Sequence, residues 1–242
     1  MLNDKKGISL IVLILVVVVV IVIGAISIVL VMNNNNLNNS NTNNSTVEDE
    51  NNNSTNNQYD VITEKIVRNH KKTQASDFEY AEVSGGIEIR KYTGNDAIVV
   101  IPETIDNKNV VGVGGLLFAN DSKVRGVYIP DAVKELKACF VNNNEIEVVI
   151  CEGIEEIWDN AFNSCTKLHT VVLGNSLKSI GENAFFYCAN LKELYIAPTL
   201  TNIDENIATT IFFWCDNLTI KGEEGSYIEK FCNEQGIPFV AE

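Results

Sequence analysis

Three of the chain's six cysteines, Cys165, Cys188 and Cys215, recur in its second half, each three residues after a phenylalanine. Closely spaced thiolates would hold zinc or run redox chemistry. No Cys-x-x-C pair occurs, however, and a zinc finger needs tighter ligand spacing than these cysteines offer. Asn143 and Asp121 stand at the same offset from earlier phenylalanines. Asp, Asn and Cys share a small side chain that can engage turn backbone, so the column is expected to be structural, with buried thiols. The chain has two histidines, His70 and His169, and neither has a nucleophile or carboxylate at a telling spacing. Gly112-Val113-Gly114-Gly115 lacks the Lys-Ser/Thr and the strand-to-helix context of a phosphate loop. The expectation is a non-enzyme with no catalytic residues, no metal site and no cofactor.

The elements that position these residues form an internal repeat. Val148 to Thr170 (VVICEGIEEIWDNAFNSCTKLHT) aligns under Val171 to Glu193 (VVLGNSLKSIGENAFFYCANLKE), 23 residues each. Related units begin at Val99, Val127 and Leu194, giving five coils over 99–218. Their shared column is Phe118, Phe140, Phe162, Phe185 and Phe212, with Val124, Ile146, Leu168, Leu191 or Leu218 six residues on. Such a period means a solenoid in which each coil buries its apolar face only against its neighbours. The spacing Leu168-x-x-Val171-x-Leu173 points those three side chains inward and leaves Val172 outward.

Val-Tyr-Ile-Pro (127–130), Ser-Ile-Gly-Glu-Asn-Ala-Phe-Phe-Tyr-Cys-Ala-Asn-Leu (179–191) and the tail from Gly225 to Phe239 resemble the BspA-type leucine-rich repeats of bacterial surface proteins. The resemblance covers roughly Asp77 to Glu242. It implies a curved solenoid of short parallel β-strands and short helical turns, displayed outside the cell for protein binding. Phe78 to Val83, Ser84-Gly85-Gly86 and Ile87 to Tyr92 predict a capping β-hairpin within 77–98. The tail, 219–242, predicts a C-terminal helical cap: Ser226 and Glu229 make a capping box, Ile228, Phe231 and Cys232 an apolar stripe, and Gly236 a stop.

Stacked coils bring one outward strand residue each into a row about 4.8 Å apart. On the 23-residue alignment that row is Val100, Tyr128, Val149, Val172 and Tyr195. An apolar row on an acidic protein asks for a partner or an intramolecular cover. The expected partner-binding residues are therefore Tyr128, Val149, Val172 and Tyr195, with Phe213 and Trp214 as a second candidate. Phe186-Tyr187 and Phe213-Trp214 occupy turn positions that hold Asn163-Ser164 one coil earlier. The available cover is the stripe Val61, Ile62 and Ile66 within 58–76, where a short amphipathic helix is predicted.

The first part of the chain sets the setting. Residues 8–32 (ISLIVLILVVVVVIVIGAISIVLVM) are long and apolar enough for a single transmembrane α-helix. Lys5 and Lys6, in the short leader 1–7, predict a cytoplasmic N-terminus and an extracellular C-terminal domain at the cell membrane. Ala25-Ile26-Ser27 is a competing signal-cleavage site. Lys5-Lys6-Gly7-Ile8-Ser9 also resembles a prepilin leader cut after Gly7, although Val12 stands where pilins place Glu. That resemblance implies an alternative, a pilin-like or secretion-apparatus subunit. Residues 33–57 hold 14 Asn in 25 positions and form no core, so a disordered linker is expected. With 18 Lys and Arg against 32 Asp and Glu, the net charge is −14, which argues against a nucleic-acid partner. The partner expected is an unknown protein or a cell-surface or wall component.

Overall fold

The computed structural model describes residues 61–121 and 123–242. The leader over 1–7, the transmembrane helix over 8–32 and the linker over 33–57 lie outside the described residues. Among the described residues no helix is long and apolar enough to cross a membrane.

The chain runs from α1 (Glu64–Asn69) through a 3-10 turn (Ala75–Asp77) into the hairpin β1 (Phe78–Val83) and β2 (Gly86–Tyr92). Ser84 and Gly85 close this hairpin, Gly85 at φ 92°, a conformation that glycine adopts without steric cost. The coils begin at β3 (Ile98–Val100), followed by the pair β4 (Thr104–Ile105) and β5 (Lys108–Val113). From there long-face strands β6 (Gly126–Tyr128), β8 (Val148–Cys151), β10 (Thr170–Leu173) and β12 (Glu193–Tyr195) alternate with two-residue strands. These short strands are β7 (Glu135–Leu136), β9 (Glu156–Ile157) and β11 (Ser179–Ile180). The chain ends on β13 (Thr219–Gly222), α2 (Tyr227–Gln235) and β14 (Phe239–Ala241).

The long strands form one seven-stranded parallel sheet in the order β14-β13-β12-β10-β8-β6-β3. The short ones form a second parallel ribbon, β11-β9-β7. Parallel neighbours one coil apart are what a right-handed crossover repeated at fixed length produces.

Between the two sheets the phenylalanine column becomes a spine. Phe118, Phe140, Phe162, Phe185 and Phe212 stack in sequence with ring centroids 5.4, 5.3, 5.0 and 5.4 Å apart. The first four are at most 1 % exposed, so each ring gains both its full burial and a stacked neighbour. Tyr92 and Phe78 continue the column at the hairpin end, and Phe231 of α2 meets Phe212 edge-on at the other.

The column three residues after each Phe is structural, as expected. Cys165, Cys188 and Cys215 donate their thiols to the carbonyl of the Phe one coil earlier, namely Phe140, Phe162 and Phe185, at 3.1, 3.1 and 2.9 Å. Asn143 does the same to Phe118 with Nδ2 at 3.0 Å, while its Oδ1 accepts from Glu145 and Ile146 N–H. Asp121, in the first coil, needs only the second function, and its Oδ1 accepts from Lys123 and Val124 N–H. All six cysteines are buried free thiols. Burial pushes Cys139 and Cys232 up to about 12 and raises Cys151, Cys165 and Cys188 as well.

The end of the solenoid departs from the expected helical cap. One nine-residue helix, α2, buries Ile228, Phe231 and Cys232, and Gly236 stops it in the left-handed region at φ 70°. The sheet itself ends on β14, which pairs with β13 through Ile220↔Phe239 and Lys221↔Val240. The predicted capping box is not made: Glu229 accepts from Gly225 N–H at 2.7 Å, one residue before the N-cap, and the buried Ser226 hydroxyl makes no hydrogen bond.

Phe162→Ala should cost about 3–5 kcal/mol, since it removes a ring stacked on both sides. Cys165→Ala should cost about 1–3 kcal/mol through the unpaired Phe140 carbonyl, and Cys165→Asn less, because Asn already fills this column at 143. Urea midpoints measure both. Rapid thiol labelling of the native protein would contradict the buried column.

Candidate functional site

The outer face of the long sheet carries two rows. In register they are Ile98, Gly126, Val148, Thr170, Glu193 and Thr219, and Val100, Tyr128, Ile150, Val172, Tyr195 and Lys221. Both rows are apolar toward β3 and turn polar toward β13. The apolar part is covered. Ile62 and Val67, at 1 % and 0 % exposure, pack with Ile98, Val100, Val148 and Ile150 in a second core on this face. Ile66, Tyr128 and Val172 flank it.

The cover is fitted as well as greasy. A Cβ on Gly126 would lie 2.7 Å from Val67 Cγ2 and 3.1 Å from Ile62 Cγ2, so glycine leaves the room the segment occupies. Ile62 N–H donates to the buried Glu147 Oε2 at 2.9 Å, and Glu147 Oε1 accepts from Arg125 at 2.6 Å. Thr63 caps α1, its hydroxyl accepting from Ile66 N–H. Arg68 grips Glu152 through two N–H donors at 2.9 and 3.0 Å and also meets Glu64. Hydrogen bonding to Arg68 lowers Glu152 below its ordinary 4.5, so this clamp holds above that range and weakens as pH falls through it. Val61, expected in the stripe, is instead 58 % exposed. Val67 takes its place.

Of the expected binding residues, Val149 is corrected outright. It pairs in register with Val127 and Val171, the inward row, and is fully buried; Ile150 is the outward residue of that coil. The 23-residue alignment slipped because strand β10 pairs with β8 as Thr170↔Val148, one residue short of that period. Tyr128, Val172 and Tyr195 do face outward and are half-buried, but Tyr128 lies at the edge of the cover.

Phe213 and Trp214 belong to a different surface. Phe186, Tyr187, Phe213 and Trp214 form one continuous cluster on the turns of two successive coils. The ring distances are Phe186–Phe213 5.8 Å, Phe186–Trp214 5.3 Å, Tyr187–Trp214 5.7 Å and Phe213–Trp214 5.0 Å. Phe213 is 48 % exposed and Tyr187 39 %. The backbone at this turn is left-handed in every coil: Asn120, Asn142, Ser164, Tyr187 and Trp214 have φ of 53°, 56°, 61°, 57° and 61°. Asn tolerates this region, whereas a bulky side chain there is a strained exception. Two successive coils thus place large aromatics where the fold prefers Asn, and leave them at the surface. Sequence reasoning singled out both pairs by their exchange against Asn163-Ser164 but assigned only Phe213 and Trp214 as binding residues; the ring contacts join Phe186 and Tyr187 to them.

Among the described residues, no group of three or more His, Cys, Asp or Glu is placed to hold a metal ion.

Short parallel strands at fixed spacing, a ribbon of two-residue strands, a phenylalanine spine and a turn column of Asn or Cys define a leucine-rich-repeat solenoid. The chain belongs to the BspA-type leucine-rich repeat family, whose pattern matches residues 99–219 in six copies. The crystal structure of the T. pallidum leucine-rich repeat protein is similar over 70 % of this chain and 98 % of that one, at 23 % identity and a TM-score of 0.56. A leucine-rich repeat protein from Bacteroides ovatus matches 67 % of this chain at 25 % identity and a TM-score of 0.49. There the match spans 47 % of the other chain's length. No curated protein matches the sequence.

Gly126→Val should expel the cover while leaving the phenylalanine spine intact. Limited trypsin digestion followed by mass spectrometry should then cut at Arg68, Lys71 and Lys72 at least about tenfold faster than in the parent, as local opening dictates. Unchanged cleavage would mean that the segment is held by its polar contacts alone.

Proposed function

We propose that the protein is a non-enzymatic recognition module, tethered to the cell membrane by residues 8–32 and displayed outside the cytoplasm on the Asn-rich linker. Lys5 and Lys6 beside an apolar run of membrane-spanning length support the orientation. The repeat family supports the binding role, because stacked coils offer a long surface whose exposed positions vary without disturbing the core.

The observation that carries the reading is the aromatic cluster Phe186, Tyr187, Phe213 and Trp214, in which Tyr187 and Phe213 are exposed and Phe186 and Trp214 half-buried. It is built on two strained backbone positions that nothing in the coil requires to be aromatic. Large exposed aromatics are preferred anchors at protein interfaces. Of the outward strand row, Tyr195 extends beyond the cover as a second contact surface, with Tyr128 and Val172 at its margin.

Two measurements test this. Protease added to intact cells should remove the domain beyond residue 33; full protection would overturn the orientation. The double variant Tyr187→Asn, Trp214→Asn should lose capture of the surface partner by about tenfold or more, roughly the loss of one anchor residue. Its stability should change by less than about 1 kcal/mol, as left-handed strain is relieved while ring contacts are lost. A large loss of stability with capture intact would make the cluster packing rather than recognition.

A further inference from the structure

The aromatic cluster borders a recess of distinct chemistry. Phe213, Trp214, Thr209, Asp216, Gln235 and Pro238 are among the residues that line it, between the last aromatic turn and the end of α2. Asp216 is its one charged lining residue, and no Lys, Arg or His lines it. Asp216 is exposed and forms no ion pair among the described residues. Elsewhere on the coils Asp131, Glu135, Glu156, Glu182 and Glu205 likewise make no ion pair among the described residues, while others are answered. Glu145 meets Lys167 at 2.8 Å, Glu155 meets Lys178 at 2.6 Å, and Glu193 meets Lys221 at 3.1 Å.

The polar depression lined by Arg125, Glu145, Glu147, Lys167, His169 and Lys192 is a useful contrast. Its opposite charges lie side by side and pair with one another, as Arg125–Glu147 and Lys167–Glu145. It therefore presents no single sign of charge to a ligand. The aromatic recess does.

Resting on the recognition role proposed above, we infer that this ridge and recess take a cationic peptide segment, with Arg or Lys side chains lying on Phe213 and Trp214 and reaching Asp216. The ring faces carry a negative quadrupole that attracts a cation within about 6 Å of the centroid. The carboxylate beside them adds a directional acceptor, bidentate for a guanidinium. The chain's net charge of −14 draws a polycation toward the surface and repels a polyanion. Strain at Tyr187 and Trp214 is consistent with the rings being kept for a ligand, since the Asn of earlier coils would hold the same turn at less cost.

The test uses the purified full chain in a neutral detergent and a labelled nona-arginine peptide, followed by fluorescence anisotropy at fixed ionic strength. Binding should weaken as salt rises. Trp214→Asn and Phe213→Ser should each weaken it about tenfold, with circular dichroism melts confirming that both fold. Asp216→Asn should weaken it about threefold or more. Glu135→Gln, an equal charge change on an exposed side chain of the short-strand ribbon, should have little effect. Equal losses at Asp216 and Glu135 with no effect of the ring variants would mean unspecific attraction to an acidic surface, and would overturn the inference. A neutral hexasaccharide that binds through Trp214 while nona-arginine does not would overturn it too, yet leave the recognition role standing. Capture of a surface partner that survives loss of all four rings would remove both.

Discussion

The constraint on which the rest of this structure depends is the stacking distance between coils. Parallel strands fix a step of about 4.8 Å, and the phenylalanine rings of successive coils lie 5.0 to 5.4 Å apart, nearly parallel. A ring every coil at that step packs the space between the two sheets, where a lost side chain costs most. The same step brings each turn within reach of the Phe carbonyl behind it. One small donor, Cys or Asn, then closes the hydrogen bond that burial demands. Asp121 in the first coil, with no coil behind it, can be acceptor-only.

A solenoid has ends and a sheet face, and each must be managed. The hairpin supplies Tyr92 and Phe78 to one end of the spine, and Phe231 of α2 the other. At the β3 edge, Thr73 N–H donates to Val100 carbonyl and its hydroxyl accepts from Val100 N–H, which satisfies edge groups of the first long strand. The face is managed by α1, and here packing and electrostatics divide the work. Ile62 and Val67 remove apolar area from water, while Glu147 accepts a backbone N–H and an Arg125 hydrogen bond, so its burial is compensated rather than merely endured. Exposed inter-coil pairs such as Lys178 with Glu155 add little by comparison.

Much of this was legible because columns repeat. The phenylalanines and the turn donors follow from residue identity at a fixed period, and the structure has them where the pattern put them. The strand phase was not legible between β8 and β10. Val148-Val149-Ile150 and Val171-Val172-Leu173 are apolar at every position, so no alternation marks which side chain points inward, and a turn one residue longer absorbs the difference. Val149 was assigned outward for that reason. The cover was legible as an amphipathic stripe, but its rotation was not: whether Val61 or Val67 completes it depends on where Gly126 leaves room. β14 had no repeat signal at all, since Phe239-Val240-Ala241 becomes a strand only because β13 offers it an edge.

The aromatic turns show how such a scaffold can change its surface without changing its core. At that turn the backbone is held by a ladder of its own: Asn120 N–H donates to Val141 carbonyl, Asn142 to Asn163, Ser164 to Phe186 and Tyr187 to Phe213, at 2.8 to 3.1 Å. These bonds run from coil to coil and involve no side chain, so they impose the left-handed conformation whatever residue occupies the position. Asn satisfies it cheaply and Ser nearly so. Tyr187 does not, and the ladder over-determines it into a conformation it would not choose, which Trp214 of the last coil shares. The side chain one residue earlier, Phe186 or Phe213, projects beside them, so a two-residue exchange per coil suffices to raise a ridge of four rings. Because the phenylalanine spine and the turn donors lie on the other side of the same backbone, that exchange leaves the inter-coil step untouched. Recognition chemistry can therefore be set at the turns, independently of the packing that holds the solenoid together.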